Sequence, residues 1–147
     1  MGTAELNREL DTYAPPHTTV YLAEDDSSTR RLIAEALRHD GHLVVEVADG
    51  AALLDLVGES FRPNAHVPAP DVIVTDLAMP FLDGTHVLAS LRGIKGTCPV
   101  VVVTASDDAN TYADAARLGA TAFFQKPFNV KHLRKVVCRL AGDSRCE

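Results

Sequence analysis

The sequence predicts a doubly wound α/β domain, in which helices cover both faces of a five-stranded parallel sheet. Short apolar runs alternate with longer amphipathic stretches between residues 18 and 141, and the strongest run is the four consecutive valines Val100 to Val103. Runs that are apolar throughout are typical of strands buried on both faces, as in a parallel sheet covered by helices. Right-handed crossover connections then place helices on both faces of the sheet.

Length and charge limit the other possibilities. The chain has 147 residues, which suits one domain whose core needs neither metal ions nor disulfides. Its 14 Lys and Arg residues against 20 Asp and Glu give a formal net charge of -6, with no basic run. Direct nucleic-acid binding and attachment to an anionic membrane are therefore not expected. No apolar run reaches the ~20 residues that span a bilayer, and the polar N-terminus is unlike a secretion signal. These features predict a cytoplasmic location.

The predicted domain covers residues 18–141, between an N-terminal extension at 1–17 and a C-terminal tail at 142–147. The extension has no sustained periodicity and ends in two prolines. A start at Met1 with this lead-in favours a whole protein, whereas the tail is equally compatible with a domain taken from a longer chain.

In order, the first half is predicted to form a strand, a helix, a strand, a helix and a loop, at residues 18–23, 27–38, 43–47, 50–59 and 62–70. The first helix is expected to bury Leu32, Ile33, Ala36 and Leu37 and to stop at Gly41, which can adopt a left-handed cap. Three prolines exclude a regular element from the loop.

In the second half, strands are predicted at residues 72–75, 100–103 and 121–124. Each is followed by a helix. The first of these helices opens at Asp83 and Gly84 and ends at Gly93, the second runs from Asp107 or Asp108 to Leu118, and the last covers residues 129–141. Either aspartate can cap the fourth helix. The last helix places Val130, Leu133 and Val137 on one apolar stripe.

Side chains that can carry chemistry follow four of the predicted strands: Glu24, Asp25 and Asp26, then Asp76, Thr104 and Lys126. The ends of parallel strands meet at one edge, where ligands bind near the point at which the winding reverses. Carboxylates gathered there repel one another unless a cation neutralises them, and oxygen ligands select a hard ion such as Mg²⁺. We therefore predict a divalent metal ion between Asp25 and Asp76. The only close histidine pair, His39 and His42, is expected to be solvated instead.

A hydroxyl at Thr104 and an ammonium group at Lys126 complete a site suited to phosphoryl transfer, because fixed cations and donors neutralise a transferring phosphoryl group. Asp76 would be the nucleophile and would form an acyl phosphate. An aspartate at a strand end, taken alone, is more often a cap or turn residue. The matching positions at three other strand ends favour the chemical interpretation.

With these residues the chain resembles the receiver domains of two-component response regulators, over roughly residues 18–141. The matching motifs are Ala23-Glu24-Asp25-Asp26, Thr75-Asp76-Leu77-Ala78-Met79-Pro80 with Asp83-Gly84 following, Val103-Thr104-Ala105, and Gln125-Lys126-Pro127-Phe128. The resemblance implies the (βα)5 flavodoxin-like receiver fold.

The resemblance also implies roles for individual residues. Asp76 would be phosphorylated in a Mg²⁺-dependent reaction, while Thr104 and Lys126 would bind the phosphoryl oxygens. The implied ligands of Mg²⁺ are the side chains of Asp25 and Asp76, the carbonyl of Ala78 and, through water, Glu24. Position 24 is more commonly Asp in this family, so direct contact of Glu24 with the metal is an alternative. Asp26 is expected to cap the first helix, and the Lys126-Pro127 bond to be cis.

Phe123 stands where the family often keeps an aromatic residue that turns inward on activation. In that interpretation phosphate draws Thr104 toward Asp76, and Phe123 fills the vacated space, which remodels the surface of helix 4, strand 5 and helix 5. Alternatively, Phe123 is simply a half-buried strand residue. The small residues Ala78 and Ser106, at positions that resemble the family's lifetime-tuning sites, predict dephosphorylation that is not strongly hindered.

The partners implied by the resemblance are a sensor histidine kinase or a histidine phosphotransfer protein, as in a phosphorelay, and a downstream protein target. A homodimer through helix 4, strand 5 and helix 5 is also consistent with it. Such a receiver is not an enzyme, apart from catalysing its own phosphorylation and dephosphorylation.

Two other functions compete with this one. A haloacid-dehalogenase-type phosphohydrolase also uses an Asp nucleophile and Mg²⁺, but needs a second acid two residues later, where this chain has Ala78. A degenerate receiver would serve only as a protein-binding surface. Because such a module can lose its phosphorylation residues, the presence of Asp25, Asp76, Thr104 and Lys126 argues against it.

Overall fold

The computed structural model of the chain describes residues 18–79, 83–93 and 98–142. The strands are β1 (Thr19–Ala23), β2 (Leu43–Val47), β3 (Val72–Thr75), β4 (Val100–Thr104) and β5 (Ala122–Gln125). The helices are α1 (Ser27–His39), α2 (Gly50–Ser60), α3 (Gly84–Gly93), α4 (Ala109–Arg117) and α5 (Val130–Ala141). The predicted elements are all present, and their ends agree with the prediction to within two residues. The predicted extension at 1–17 and most of the tail lie outside the described residues.

The five strands form one sheet in the order β2-β1-β3-β4-β5, and every neighbouring pair is parallel. This confirms the predicted doubly wound fold. The winding reverses between β1 and β3, which lie side by side at the centre of the sheet. A ligand site is therefore expected beyond the carboxyl ends of these two strands.

Helices cover both faces of the sheet and give the domain two apolar cores. One core combines the sheet with α1 and α5, through residues such as Ile33, Leu37 and Leu133. The other combines it with α2, α3 and α4. Every residue of β1, β3 and β4 is buried, which explains why these segments are apolar almost throughout. The buried central strands give the site at their carboxyl ends a rigid base.

Two side chains are placed differently from the sequence prediction. Leu32 is 53% exposed, because the buried face of α1 passes through Ile33, Ala34 and Leu37 instead. His42 is not solvated: it is 3% exposed, and its ring nitrogen is hydrogen-bonded to the hydroxyl of Thr18. A buried imidazole needs such a partner, and Thr18, the residue just before β1, supplies it.

The helix ends follow the predicted signals. Asp26 accepts a hydrogen bond from the Thr29 backbone N–H (2.9 Å) and caps α1, as expected. Of the two candidates for the cap of α4, the structure uses Asp108. Gly41 has the left-handed φ of 93° that the end of α1 requires. In the described part of the chain, no helix is both long enough and apolar enough to cross a membrane.

Candidate functional site

Glu24 and Asp76 lie side by side because each continues the sheet by one residue. The backbone N–H of Asp76 donates to the carbonyl of Ala23 (3.1 Å), and the N–H of Glu24 donates to the carbonyl of Val47 (3.1 Å). These bonds hold both residues in place just beyond the strand ends. The central position of β1 and β3 therefore fixes where the two carboxylates meet.

Three carboxylates form a cluster at this edge. An oxygen from each of Glu24, Asp25 and Asp76 lies within 4.8 Å of the others. Glu24 and Asp76 are 2% and 5% exposed, whereas Asp25 is exposed to solvent. Buried carboxylates this close are unfavourable unless positive charge is near.

Lys126 supplies positive charge to both buried carboxylates. Its ammonium group donates to Asp76 Oδ2 (2.8 Å) and to Glu24 Oε1. Burial by itself disfavours the charged ammonium, but the hydrogen bonds to Asp76 and Glu24 outweigh it, so the pKa of Lys126 is raised. Lys126 therefore remains protonated in this site at neutral pH.

At Glu24, in contrast to Lys126, the effect of burial on the pKa is larger than the effect of the hydrogen bonds. Burial raises the pKa of the Glu24 carboxyl, although the hydrogen bonds from Lys126 and from the backbone N–H of Asp26 lower it in part. The nearby Asp76 raises it further. Additional positive charge at this position would therefore be stabilising.

The backbone around Lys126 is also anchored to the sheet. Its N–H donates to the carbonyl of Thr104 (2.7 Å), and the Lys126–Pro127 bond is cis, as expected. The end of β4 thus sets the position from which the lysine side chain reaches Asp76.

The segment that follows Asp76 folds back onto it. The backbone N–H of Ala78 donates to Asp76 Oδ1 (2.9 Å), so both carboxylate oxygens of Asp76 accept hydrogen bonds. Gly84 packs against the same segment: a Cβ at position 84 would lie 2.6 Å from the Cα and the carbonyl oxygen of Leu77. Only glycine fits there, which gives the predicted Asp83-Gly84 motif a steric reason.

Thr104 lies at the same edge, at the end of β4, and is 1% exposed. Its hydroxyl oxygen accepts a hydrogen bond from the backbone N–H of Ser106 (3.3 Å). Among the described residues no hydrogen bond joins Thr104 to Asp76. The structure thus brings Lys126 together with the three carboxylates, and Thr104 lies at the same edge of the sheet.

Phe123 is half-buried in β5, where it pairs with Val102 of β4. Its ring packs edge-on against Tyr112 of α4, with ring centroids 5.6 Å apart and an interplanar angle of 72°. The sequence did not single out Tyr112. Its hydroxyl donates to the carbonyl of Ser106 (2.9 Å), a contact that no local motif signals.

The ligand set of this cluster fits a hard divalent cation. Three carboxylates and one ammonium group leave two formal negative charges at the site. All three side chains offer oxygen, and no His or Cys belongs to this group. Oxygen ligands of this kind suit Mg²⁺, which retains several waters when it binds to proteins.

Comparison with known proteins gives a consistent family. Residues 20–138 match the model of the response regulator receiver domain. The response regulator MprA of Mycobacterium tuberculosis is 30% identical over 114 residues, which are 78% of this chain and 46% of MprA. The chain thus spans about half the length of curated relatives such as MprA.

Solved structures agree with this match. The receiver domain of the response regulator NarL from Mycobacterium tuberculosis superimposes with a TM-score of 0.75 at 28% identity, covering 88% of this chain and 99% of that one. The phosphorylated cyanobacterial phytochrome response regulator RcpA gives a TM-score of 0.69 at 30% identity, covering 86% and 90%. The chain therefore belongs to the response regulator receiver domain family of two-component signalling.

Proposed function

We propose that this receiver accepts a phosphoryl group on Asp76 and thereby switches a protein-binding surface. The observation that carries the proposal is the position of the Asp76 carboxylate, hydrogen-bonded to Lys126 (2.8 Å) within a cluster of two other acids. This carboxylate lies at the edge of the sheet where ligands bind in such folds, beyond the carboxyl ends of β1 and β3. The neighbouring ammonium group can hold the phosphoryl oxygens.

The proposed reaction is a displacement at phosphorus. One carboxylate oxygen of Asp76 forms a bond to phosphorus, while the bond from phosphorus to the histidine nitrogen of the donor breaks. The donor imidazole keeps the electron pair of that bond and takes up a proton. Lys126 and the hydroxyl of Thr104 bind the phosphoryl oxygens and offset their charge.

We further propose that Mg²⁺ is the resident ion, held by Asp25, Asp76 and the Ala78 carbonyl, with Glu24 acting through water. When bound, Mg²⁺ supplies positive charge that neutralises the carboxylates and the phosphoryl oxygens. Glu24 has a second role in this proposal, because it already pairs with Lys126 and so helps to position the ammonium group beside Asp76.

The phosphoryl donor would be a sensor histidine kinase or a histidine phosphotransfer protein. RcpA, 30% identical to this chain, is a phosphorylated response regulator, and we extend that property to Asp76. The output would be a downstream protein that binds α4, β5 and α5, or a second copy of the chain at the same surface. We place the protein in the cytoplasm, where such donors act, and assign it no enzyme activity toward other substrates.

Two observations favour this function over its competitors. Position 78 is Ala, so the acid that a phosphohydrolase of the dehalogenase type needs is missing there. A degenerate receiver need not keep two buried carboxylates around a half-buried lysine, because burying these charges costs desolvation free energy.

The experiment compares the wild type with Asp76→Asn after incubation with acetyl phosphate, with and without Mg²⁺, by intact-protein mass spectrometry. We expect a single phosphoryl adduct on the wild type, only with Mg²⁺, and none on the variant. Asp49→Asn is the matched control, because Asp49 lies beyond β2 at the same edge and caps α2, a role that Asn also fills. Equal labelling of Asp76→Asn and wild type would exclude Asp76 as the acceptor.

A further inference from the structure

Tyr112 contacts two parts of the proposed switch at once. Its hydroxyl donates to the carbonyl of Ser106 (2.9 Å), in the segment that follows Thr104. Its ring packs edge-on against Phe123, with centroids 5.6 Å apart. Tyr112 is half-buried in the first half of α4, where it contacts both the segment that follows Thr104 and β5.

Ser106 connects this tyrosine to the site. Its backbone N–H donates to the hydroxyl oxygen of Thr104 (3.3 Å), and its carbonyl accepts from Tyr112. The Ser106 hydroxyl also accepts from the backbone N–H of Asp108, the cap of α4 (3.2 Å). One residue thus joins the buried Thr104 hydroxyl to the start of α4 and to the Tyr112 hydroxyl.

A hydrogen bond that exists in only one of two states favours that state. In the structure described here, Thr104 is bonded to Ser106, and no hydrogen bond joins it to Asp76. In the proposed switch, Thr104 moves toward Asp76, and its hydroxyl then binds a phosphoryl oxygen. When Thr104 moves, Ser106 either moves with it or loses its hydrogen bond to the Thr104 hydroxyl. The hydrogen bond from Tyr112 to the Ser106 carbonyl opposes a movement of Ser106 together with Thr104.

We propose that Tyr112 is a positioning residue for phosphoryl binding, a role that rests on the proposed function of Asp76. Its hydroxyl holds Ser106, and through it Thr104, in the resting position, and the bond to Ser106 is broken when the phosphoryl group binds. Because the Tyr112 ring contacts Phe123, release of the hydroxyl alters the packing of Phe123 in β5. Tyr112 therefore links the occupied site to the α4 and β5 surface.

The test measures the affinity of Asp76 for beryllofluoride, a tetrahedral analogue of the phosphoryl group, in the presence of Mg²⁺. Tyr112→Phe removes the hydroxyl and keeps the ring. Loss of one neutral hydrogen bond from the resting state should tighten beryllofluoride binding roughly two- to tenfold. The melting temperature should fall, because the same bond stabilises the fold. Mg²⁺ affinity should not change, since Tyr112 does not touch the carboxylates.

Tyr21→Phe is the matched control. The Tyr21 hydroxyl is also bonded to a backbone carbonyl, that of Pro68, and the Tyr21 residue is fully buried in β1. This variant should lower the melting temperature without changing beryllofluoride affinity. A merely structural role for Tyr112 gives the same pattern as the control, so equal or weaker binding by Tyr112→Phe overturns the proposal.

Tyr112→Leu tests the ring contact separately. Beryllofluoride binding should shift the NMR resonances of the Phe123 ring in wild type and in Tyr112→Phe. In Tyr112→Leu the shift should be largely lost, although binding remains at least as tight as in wild type. An unchanged Phe123 response in Tyr112→Leu would contradict the link.

If wild type itself binds no beryllofluoride, the proposed function fails, and the role of Tyr112 with it. Failure of the Tyr112 variants alone leaves the function of Asp76 intact.

Discussion

Lys126 donates a hydrogen bond to Glu24, a residue that lies 102 positions earlier in the chain. No local motif can produce this contact, because it depends on β1 and β5 ending at the same edge of the sheet. A glutamate is one methylene longer than an aspartate, and its carboxylate reaches the lysine from the end of β1. The ammonium group is thereby shared between Glu24 and Asp76.

The first prediction concerns the charge of Glu24. Glu24→Gln keeps a hydrogen-bond acceptor for Lys126 but removes one negative charge from the cluster. Mg²⁺ affinity should fall roughly tenfold, as expected for losing one charge near a divalent ion at a partly hydrated site. Isothermal titration calorimetry measures the change. Glu35→Gln is the control, because Glu35 is exposed on α1 and pairs with Arg31. Equal affinities of the two variants would show that Glu24 does not act on the metal.

The second prediction concerns repulsion within the cluster. Without Mg²⁺, Asp25 lies close to two carboxylates that already share one ammonium group, so Asp25→Asn should raise the melting temperature by a few degrees. Mg²⁺ should then stabilise this variant less than wild type. A ligand that binds only the folded state raises the melting temperature more when it binds more tightly, and the variant has lost one of the proposed ligands. Thermal melts with and without Mg²⁺ test both statements. Asp55→Asn, at an exposed site on α2, should leave the Mg²⁺ response unchanged. A melting temperature of Asp25→Asn below that of wild type would refute the idea of repulsion.

The strand pattern was sufficient to predict where Asp76 and Lys126 lie, because continuous apolar runs fix the parallel sheet and its edge gathers whatever follows each strand. Side-chain burial was harder to predict. Leu32 lies on the exposed side of α1 because the small Ala34 occupies the inner face, a choice that helical periodicity alone leaves open. His42 is buried where the hydroxyl of Thr18, the residue before β1, is hydrogen-bonded to its ring nitrogen. Neither the exposure of Leu32 nor the burial of His42 can be predicted from the local sequence around the residue.

The site likewise contains some residues that the sequence pattern could identify and one that it could not. Its acids and lysine occupy fixed places after strands, so their sequence positions were informative. Tyr112 lies on a helix, eight residues after Thr104. Its contacts depend on how α4 is set against β5. Since that placement is a tertiary property, no spacing rule identifies Tyr112 as part of the site.

The third prediction uses two glycines with different surroundings. Gly84→Ala should destabilise the fold by about 1–3 kcal/mol, because its Cβ would lie 2.6 Å from the backbone of Leu77. It should also weaken Mg²⁺ binding, since Leu77 lies between Asp76 and Ala78. Gly58→Ala, in the last turn of α2 with nothing within 4 Å of the new Cβ, should instead stabilise by about 0.5–1 kcal/mol. Urea unfolding measures both, and equal effects of the two substitutions would contradict the steric explanation.

The fourth prediction is a pH dependence set by Asp40 at the end of α1. Arg134 of α5 donates two hydrogen bonds to its carboxylate (2.9 and 2.6 Å), and these lower the pKa of Asp40, against the smaller opposing effect of burial. A carboxyl whose pKa is lower in the folded state stabilises the fold above its unfolded pKa of about 4. That stabilisation is lost as the pH falls through the folded pKa.

Asp40→Asn should therefore cost about 1–2 kcal/mol at pH 7, allowing for partial solvent exposure of the pair. The difference from wild type should shrink as the pH falls below about 4, because the wild-type carboxylate is then protonated as well. Urea unfolding at a series of pH values measures it. Asp114→Asn is the control, since Asp114 forms a more exposed pair with Arg117 at 3.6 Å and should have little effect at any pH. A difference between Asp40→Asn and wild type that stays constant from pH 7 to pH 3 would mean that the charge of Asp40 does not stabilise the fold.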